Sequence, residues 1–137
     1  MDWNQIREEK TGLSYYQGKH PSGLTVLLFP MEGYASSYAL FGTNLGSVDQ
    51  TFKRDTETEY TTVPHGVAHF LEHKMFEKEY GDVFSLYAKT GASANAYTSF
   101  DRTNYLFSCT DNFKESFDIL LKFVQEPYFT KESVEKE

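Results

Sequence analysis

Three residues close together in the chain, His69, Glu72 and His73, have the side chains and the spacing for metal binding and proton transfer. On a helix, at about 100° per residue, all three fall on one side. His69 and His73 are one turn apart, so both imidazoles can reach a single point, as in zinc-binding helices. Glu72 lies in the same arc, where its carboxylate can contact a water on that metal without being a ligand. The pattern predicts a zinc site with a base beside it.

The residues around this motif predict an amphipathic helix over residues 63–77, with Thr62 as its N-cap and Pro64 in its first turn. We expect its apolar stripe to pack on a core, and the stripe consists of Val67, Phe70, Leu71 and Met75. The order His-x-x-Glu-His is that of the inverzincins, a class of zinc peptidases. The alternative is a solvated helix face on which Glu72 stabilises exposed histidines, because short motifs also occur by chance.

Composition narrows the class of protein. The 137 residues suffice for one domain with a core, and 39% are hydrophobic and 17% aromatic. A net charge of −7 excludes a basic surface for nucleic acid, so no nucleic-acid partner is expected. Cys109 is the only cysteine, which rules out an internal disulfide and favours the cytoplasm. Residues 1–10 lack the apolar core of a signal peptide, and no stretch is long and apolar enough to span a membrane.

Hydrophobic patterning predicts strands and helices in separate groups joined by hairpins. The expected order is a strand at 13–20, a turn at Pro21-Ser22-Gly23, strands at 24–29 and 34–43, a loop at 49–61, the motif helix, a helix at 81–89 ended by Gly91, strands at 94–99 and 102–108, a helix capped by Asp111, and a helix beginning at Thr130. This order predicts an α+β fold in which helices pack on one face of an antiparallel β-sheet.

With these residues in view, the chain resembles the N-terminal portion of the M16 metallopeptidases, the family of pitrilysin, insulinase and mitochondrial processing peptidase. The resemblance runs from Gly23 to the end of the chain. Its specific pieces are Gly66-x-Ala-His-Phe-Leu-Glu-His-x-Met-x-Phe, Gly91 with Asn95-Ala96-Tyr97-Thr98, and Thr103-x-Tyr105. The phrase His-Lys-Met-Phe-Glu-Lys-Glu at residues 73–79 is also similar to the bacterial YmfH-like branch of the family.

The resemblance implies a LuxS/MPP-like metallohydrolase fold and a zinc-dependent endopeptidase. His69 and His73 would bind Zn²⁺, and Glu72 would be the general base. Residues Asn95, Ala96 and Tyr97 would form an edge strand that pairs with an extended peptide substrate, although an ordinary hairpin strand is the alternative. Glu137 matches an acidic position that assists catalysis. Phe76 either lines the cleft or packs in the core.

The resemblance also implies that residues 1–137 are the N-terminal portion of a single M16 domain, truncated before the third zinc ligand. That ligand would be a glutamate about seven residues, or two helical turns, beyond Glu137. Such a fragment is expected to bind zinc weakly, to be inactive, and to associate with itself or with a homologous partner.

Two other functions remain as hypotheses. One is a non-catalytic, substrate-binding partner subunit of an M16 heterodimer, although a mere clamp needs neither histidine nor Glu72. The other is a structural zinc module. A structural zinc site requires four ligands in a closed arrangement. The chain has four His and one Cys, and most of them are far apart in the sequence, which disfavours such a site.

Overall fold

The structure is a computed structural model that describes all residues from Met1 to Glu137. The chain divides into two units, residues 1–34 and 35–137. The first unit is an antiparallel sheet in the order β1-β2-β3, with strands β1 (Trp3–Arg7), β2 (Ser14–Lys19) and β3 (Thr25–Leu28). The predicted hairpin of β2 and β3 is confirmed, and Gly23 in its turn has a φ of 92°. Strand β1 was not predicted because all five of its residues are exposed and show no alternation.

The second unit contains the remaining elements. In chain order these are β4 (Ser37–Thr43), β5 (Thr51–Phe52), β6 (Thr61–Thr62), α1 (Val67–Lys74), β7 (Glu77–Lys78), β8 (Gly81–Asp82), α2 (Val83–Thr90), β9 (Ser93–Thr98), β10 (Thr103–Cys109), α3 (Phe113–Phe123) and α4 (Lys131–Lys136). Strands β5 and β6 form one two-stranded ladder, and β7 and β8 form another. None of the four helices is long and apolar enough to cross a bilayer.

The main sheet of this unit has the order β4-β10-β9, and both of its pairings are antiparallel. The predicted hairpin of β9 and β10 is confirmed, with Thr98 opposite Thr103. Because β10 lies in the centre, one edge of β9 and one edge of β4 have no neighbouring strand in this sheet. The free edge of β9 lies next to the motif helix α1.

Alternate residues of these strands face the helices and form the core. Tyr105, Phe107 and Cys109 of β10 are buried together with Leu120 and Phe123 of α3. Alanines of the flanking strands and aromatic residues of the preceding segments complete this cluster, namely Ala39, Ala94, Ala96, Phe76 and Tyr87. The predicted α+β fold, with helices packed on one face of an antiparallel sheet, is therefore confirmed.

The predicted start of the motif helix was wrong. Helix α1 begins at Val67, after Gly66 in the left-handed conformation with a φ of 87°. Thr62 lies in β6 instead, where its hydroxyl is 3.0 Å from that of Thr51. The amide of Val63 donates to the carbonyl oxygen of Gln50, which keeps the segment before the helix extended. Strand pairing with residues 51–52, inside the predicted loop, overrides the N-cap signal of Thr62.

The predicted core-facing stripe of α1 was also wrong in part. Val67, Phe70, Leu71 and Met75 are only half-buried, whereas Ala68, Glu72 and Lys74 are buried. Phe76, just after the helix, is 6% exposed and stacks on Phe84 with 4.5 Å between ring centroids. The helix therefore turns the side that carries Glu72 toward the sheet.

Two smaller differences concern the end of the motif helix and the start of α3. The predicted helix at 63–77 ends earlier, and its last residue lies in β7, which pairs with β8. Helix α3 has Asn112 as its N-cap residue, with a φ of 55°, and not Asp111. The predicted C-terminal glycine of α2 is confirmed, since Gly91 has a φ of 79°.

Phe123 is the residue through which α3 contacts the rings around the motif helix. It is 1% exposed, and its ring centroid lies 5.0 Å from that of Phe76 and 5.7 Å from that of Tyr105. We expect Phe123→Ala to lower the free energy of unfolding by about 3–5 kcal/mol, because it leaves a cavity in this cluster. Chemical denaturation measures the change.

Phe100 provides the control, since it is 75% exposed. Phe100→Ala should change the free energy of unfolding by no more than about 0.5 kcal/mol. Equal losses for the two variants would contradict the assignment of Phe123 to the core.

Candidate active site

Helix α1 brings the two histidines of the motif together. The Nε2 atoms of His69 and His73 are 3.1 Å apart, and their ring centroids are 4.6 Å apart. Two imidazole nitrogens that share a tetrahedral zinc ion at about 2.0–2.1 Å lie about 3.3 Å from each other. Both side chains are open to solvent, with exposed fractions of 64% for His69 and 50% for His73. The pair therefore has the geometry and the access that binding of one divalent ion requires.

Glu72 lies beside this pair but is buried, with 8% of its surface exposed. Its Oε2 is 4.0 Å from Nε2 of His69, and it accepts a 2.7 Å hydrogen bond from the hydroxyl of Thr98. Thr98 is the last residue of β9, so the sheet fixes the orientation of this carboxylate. Glu72 is thus next to the histidine nitrogens without occupying their shared point.

Glu137 contacts the other side of His73. Its Oε1 is 2.8 Å from Nδ1 of His73. A carboxylate accepts hydrogen bonds, so this contact favours a proton on Nδ1 and leaves the lone pair of Nε2 free to bind a metal. Helix α4, which precedes Glu137, begins with a capping box formed by Thr130 and Ser133.

Two side chains of the site, His69 and His73, could bind one metal ion. No group of three or more His, Cys, Asp and Glu side chains is arranged to hold an ion. Glu72 is held away by Thr98, and Glu137 faces the Nδ1 side of His73. The residues present fit a zinc ion as two of the three protein ligands that a catalytic site uses.

A groove of about 280 Å³ runs beside these residues. Glu72, His73, Phe76, Asn95, Ala96 and Glu137 are among the side chains that line it. Both positions predicted as alternatives for Phe76 occur together, since its side chain packs in the core and also borders the groove. A larger cavity of about 390 Å³, lined by Tyr80, Leu86, Asp118, Ile119 and Lys122, contains none of the motif residues. The candidate site is the smaller groove because Glu72 and His73 of the motif line it.

Strand β9 borders the groove with its free edge. The amide of Ala96 donates to Oδ1 of Asn95 at 2.9 Å and not to β10, so it points outward. Side chains alternate along the strand, and Ala96 and Thr98 face the helices. Tyr97 is 46% exposed and does not line the groove. Of the three residues predicted to bind substrate, the structure thus brings Asn95 and Ala96 to the site but not the Tyr97 side chain.

Tyr105 is a neutral neighbour of this site. Burial, and to a lesser degree the charge of Glu72, raise the pKa of Tyr105 to about 12. Its phenol therefore keeps its proton at neutral pH and adds no charge near Glu72.

Sequence reasoning missed Thr98 as the partner of Glu72, and it missed the burial of Lys74. The sequence shows Thr98 only as part of the Asn-Ala-Tyr-Thr motif, because its bond to Glu72 spans 26 residues of sequence. Lys74 is fully buried beside His73. A lysine next to the apolar stripe of a helix was a usable signal, since buried lysines require partners.

Fold and site together define the class of protein, an α+β chain with an inverted zinc-peptidase motif on a helix that packs on the sheet. The model of the insulinase family, peptidase family M16, matches residues 57–137. The chain belongs to this family.

Individual relatives agree with this assignment. The chain is 47% identical, over its whole length, to a Bacillus subtilis protein named uncharacterized zinc protease YmfH, and covers 31% of it. The crystal structure of a provisionally assigned M16-like peptidase from Alicyclobacillus acidocaldarius matches 99% of this chain and 29% of that one, with 40% identity and a TM-score of 0.82. Pitrilysin, at 22% identity, has a TM-score of 0.70 over 98% of this chain and 14% of its own, and supports the fold alone. The chain thus spans about a third of the length of the first two relatives.

Proposed function

We propose that the protein is a zinc-dependent endopeptidase that hydrolyses peptides or unfolded segments of proteins. The observation that carries this proposal is the 3.1 Å separation of the Nε2 atoms of His69 and His73, with the buried carboxylate of Glu72 beside them. Membership of the M16 family and the name of the Bacillus subtilis relative support it.

Each residue of the site has a distinct role in this proposal. His69 and His73 hold the zinc ion through Nε2, and Glu137 fixes the ring of His73 through Nδ1. Zinc, when bound, supplies Lewis acidity, which acidifies a water molecule and polarises a carbonyl group. Glu72 is the general base that takes the proton from the attacking water, and Thr98 keeps its carboxylate oriented.

The free edge of β9 binds the peptide backbone in this proposal. The outward amide of Ala96, which now donates to its neighbour Asn95, becomes available when that side chain moves aside. Main-chain pairing gives affinity without demanding a particular side chain, which suits an enzyme that takes varied peptides. The substrate then lies in the groove alongside Glu72 and His73.

We infer that these 137 residues act as part of a longer M16 protein. Two histidines are too few for a catalytic zinc, and the chain spans about a third of its relatives. A glutamate about two helical turns beyond Glu137 is the proposed third ligand. A homologous M16 partner or a second copy of the protein would cover the groove in which the substrate is proposed to lie. The single buried thiol of Cys109 suits the reducing cytoplasm as the compartment.

Glu72→Gln in the full-length protein tests the peptidase directly. We expect kcat for a quenched peptide to fall by about 100- to 10,000-fold, the range for loss of a general base. Zinc content should stay at the wild-type level, because Glu72 is not a ligand.

His73→Ala is the matched control, and it should lose both zinc and activity. A zinc-bound wild-type protein that cleaves no peptide would instead favour the non-catalytic partner subunit. Unchanged kcat in Glu72→Gln would contradict the role of that residue.

Thr98→Val tests the orientation of the base. Valine has the shape of threonine but cannot donate a hydrogen bond to Glu72. We therefore expect kcat to fall by about 10- to 100-fold, the usual loss when a residue that orients an active-site side chain by a hydrogen bond is replaced. KM and zinc content should change little. The Thr98 side chain is not a proposed zinc ligand, and the valine variant keeps the backbone of β9, which is proposed to bind the peptide. Thr98→Ser keeps the hydroxyl and should restore most of kcat, and equal losses in both variants would contradict this role.

Peptides with single N-methylated amides test the pairing with β9. Because only alternate amides of a strand face one neighbour, kcat/KM should fall steeply at every second position and much less between them. The side chains are unchanged throughout the series, which provides the control. A uniform effect along the peptide would rule out main-chain pairing.

A further inference from the structure

Lys74, the residue after His73, is buried with none of its surface exposed. Its Nζ donates to the carboxylate of Glu77 and, at 2.8 Å, to the carbonyl oxygen of Ser133. A buried ammonium group is costly unless such partners satisfy it. The motif Gly66-x-Ala-His-Phe-Leu-Glu-His-x-Met leaves this position unspecified, and the Nζ atom of Lys74 bonds to neither His69 nor Glu72.

Ser133 belongs to α4, and it precedes Glu137 by four residues, or about one helical turn. Two consecutive residues of α1 thus make contacts one turn apart, one with α4 and one with Glu137, the residue directly after it. His73 contacts the Glu137 carboxylate, and Lys74 contacts the Ser133 carbonyl. The second contact determines where α4 can lie when the first is formed.

Among residues 131–136 of α4, none is buried, and Val134, the one apolar side chain, is 40% exposed. The bond from the fully buried Lys74 to the Ser133 carbonyl oxygen therefore ties this exposed turn of α4 to the buried side of α1.

We propose that Lys74 is a positioning residue for the zinc site. By binding the Ser133 carbonyl, it holds α4 where Glu137 reaches Nδ1 of His73, and so keeps Nε2 of His73 free and correctly aimed. This inference rests on the proposed function, since it assigns to Lys74 an effect on zinc affinity. The competing explanation is that Lys74 only neutralises Glu77 inside the fold.

Lys78 offers a matched control. It is also a buried lysine, 6% exposed, and its Nζ donates to the carbonyl oxygens of Phe123 and Glu126 at the end of α3. Burial lowers its pKa. Replacing either lysine removes a buried donor to main-chain carbonyls, but only Lys74 contacts α4.

The experiment compares Lys74→Met and Lys78→Met in the full-length protein. Zinc affinity is measured by competition with a chelator, and the tautomer of His73 by proton–nitrogen correlation spectra of the imidazoles at one fixed pH. We expect Lys74→Met to raise the zinc dissociation constant by about tenfold, the smallest loss of affinity that is usual when a residue supporting a metal ligand is replaced. We also expect it to weaken the Nδ1–H signal of His73. Lys78→Met should lower thermal stability and leave both readouts unchanged.

Three further variants separate the explanations. Glu77→Gln keeps Lys74 and its bond to Ser133, so zinc affinity should remain close to that of wild type. Lys74→Arg keeps a charged donor and should recover part of the affinity. Lys74→Gln, whose neutral amide is too short to reach α4, replaces the methionine variant if that protein does not fold, and the same loss of zinc is expected.

Wild-type zinc affinity in Lys74→Met or Lys74→Gln would overturn the positioning role while leaving the proposed peptidase intact. Equal losses in Lys74→Met and Lys78→Met would also overturn it, as would a loss in Glu77→Gln as large as in Lys74→Met. A wild-type protein that binds no zinc would refute the proposed function itself, and this inference with it.

Discussion

The site depends on one geometric constraint: two imidazoles one helical turn apart must point at the same place. An α-helix satisfies this constraint by its pitch alone, and in α1 it brings the Nε2 atoms of His69 and His73 to 3.1 Å. The helix does not fix the rings by itself, because both are largely exposed. A contact from outside α1 holds one of them, because Glu137, directly after α4, binds His73, and Thr98 of β9 holds the neighbouring carboxylate of Glu72.

Those two contacts come from different parts of the fold. Thr98, at the end of β9, binds Glu72 from the sheet side, whereas Glu137 binds His73 from α4. The aromatic cluster beneath them fixes the end of α1, because Phe76 packs between Phe84 and Phe123. The buried face of α1 thus carries Glu72, the proposed base, and its exposed face carries the proposed ligands. Such a division suits chemistry in which the ion must be accessible and the base must be rigid.

Much of this arrangement could be predicted from the sequence because it depends on local periodicity. The hairpin of β9 and β10, the end of α2 at Gly91 and the shared face of His69 and His73 all follow from spacing within a few residues. The parts that could not be predicted depend on distant partners. Helix α1 starts at Val67 because residues 61–62 pair with 51–52, and no propensity within the helix encodes that pairing. Similarly, the bonds of Thr98 and Lys74 cross 26 and 59 residues of sequence.

Diffraction from a crystal of the full-length protein grown with zinc, recorded on both sides of the zinc absorption edge, is the most direct test of the central claim. We expect a single anomalous peak about 2.0–2.1 Å from Nε2 of both His69 and His73, with Glu72 outside bonding distance of the ion. A zinc peak elsewhere in the protein, or rings of His69 and His73 that point apart with zinc present, would contradict the account.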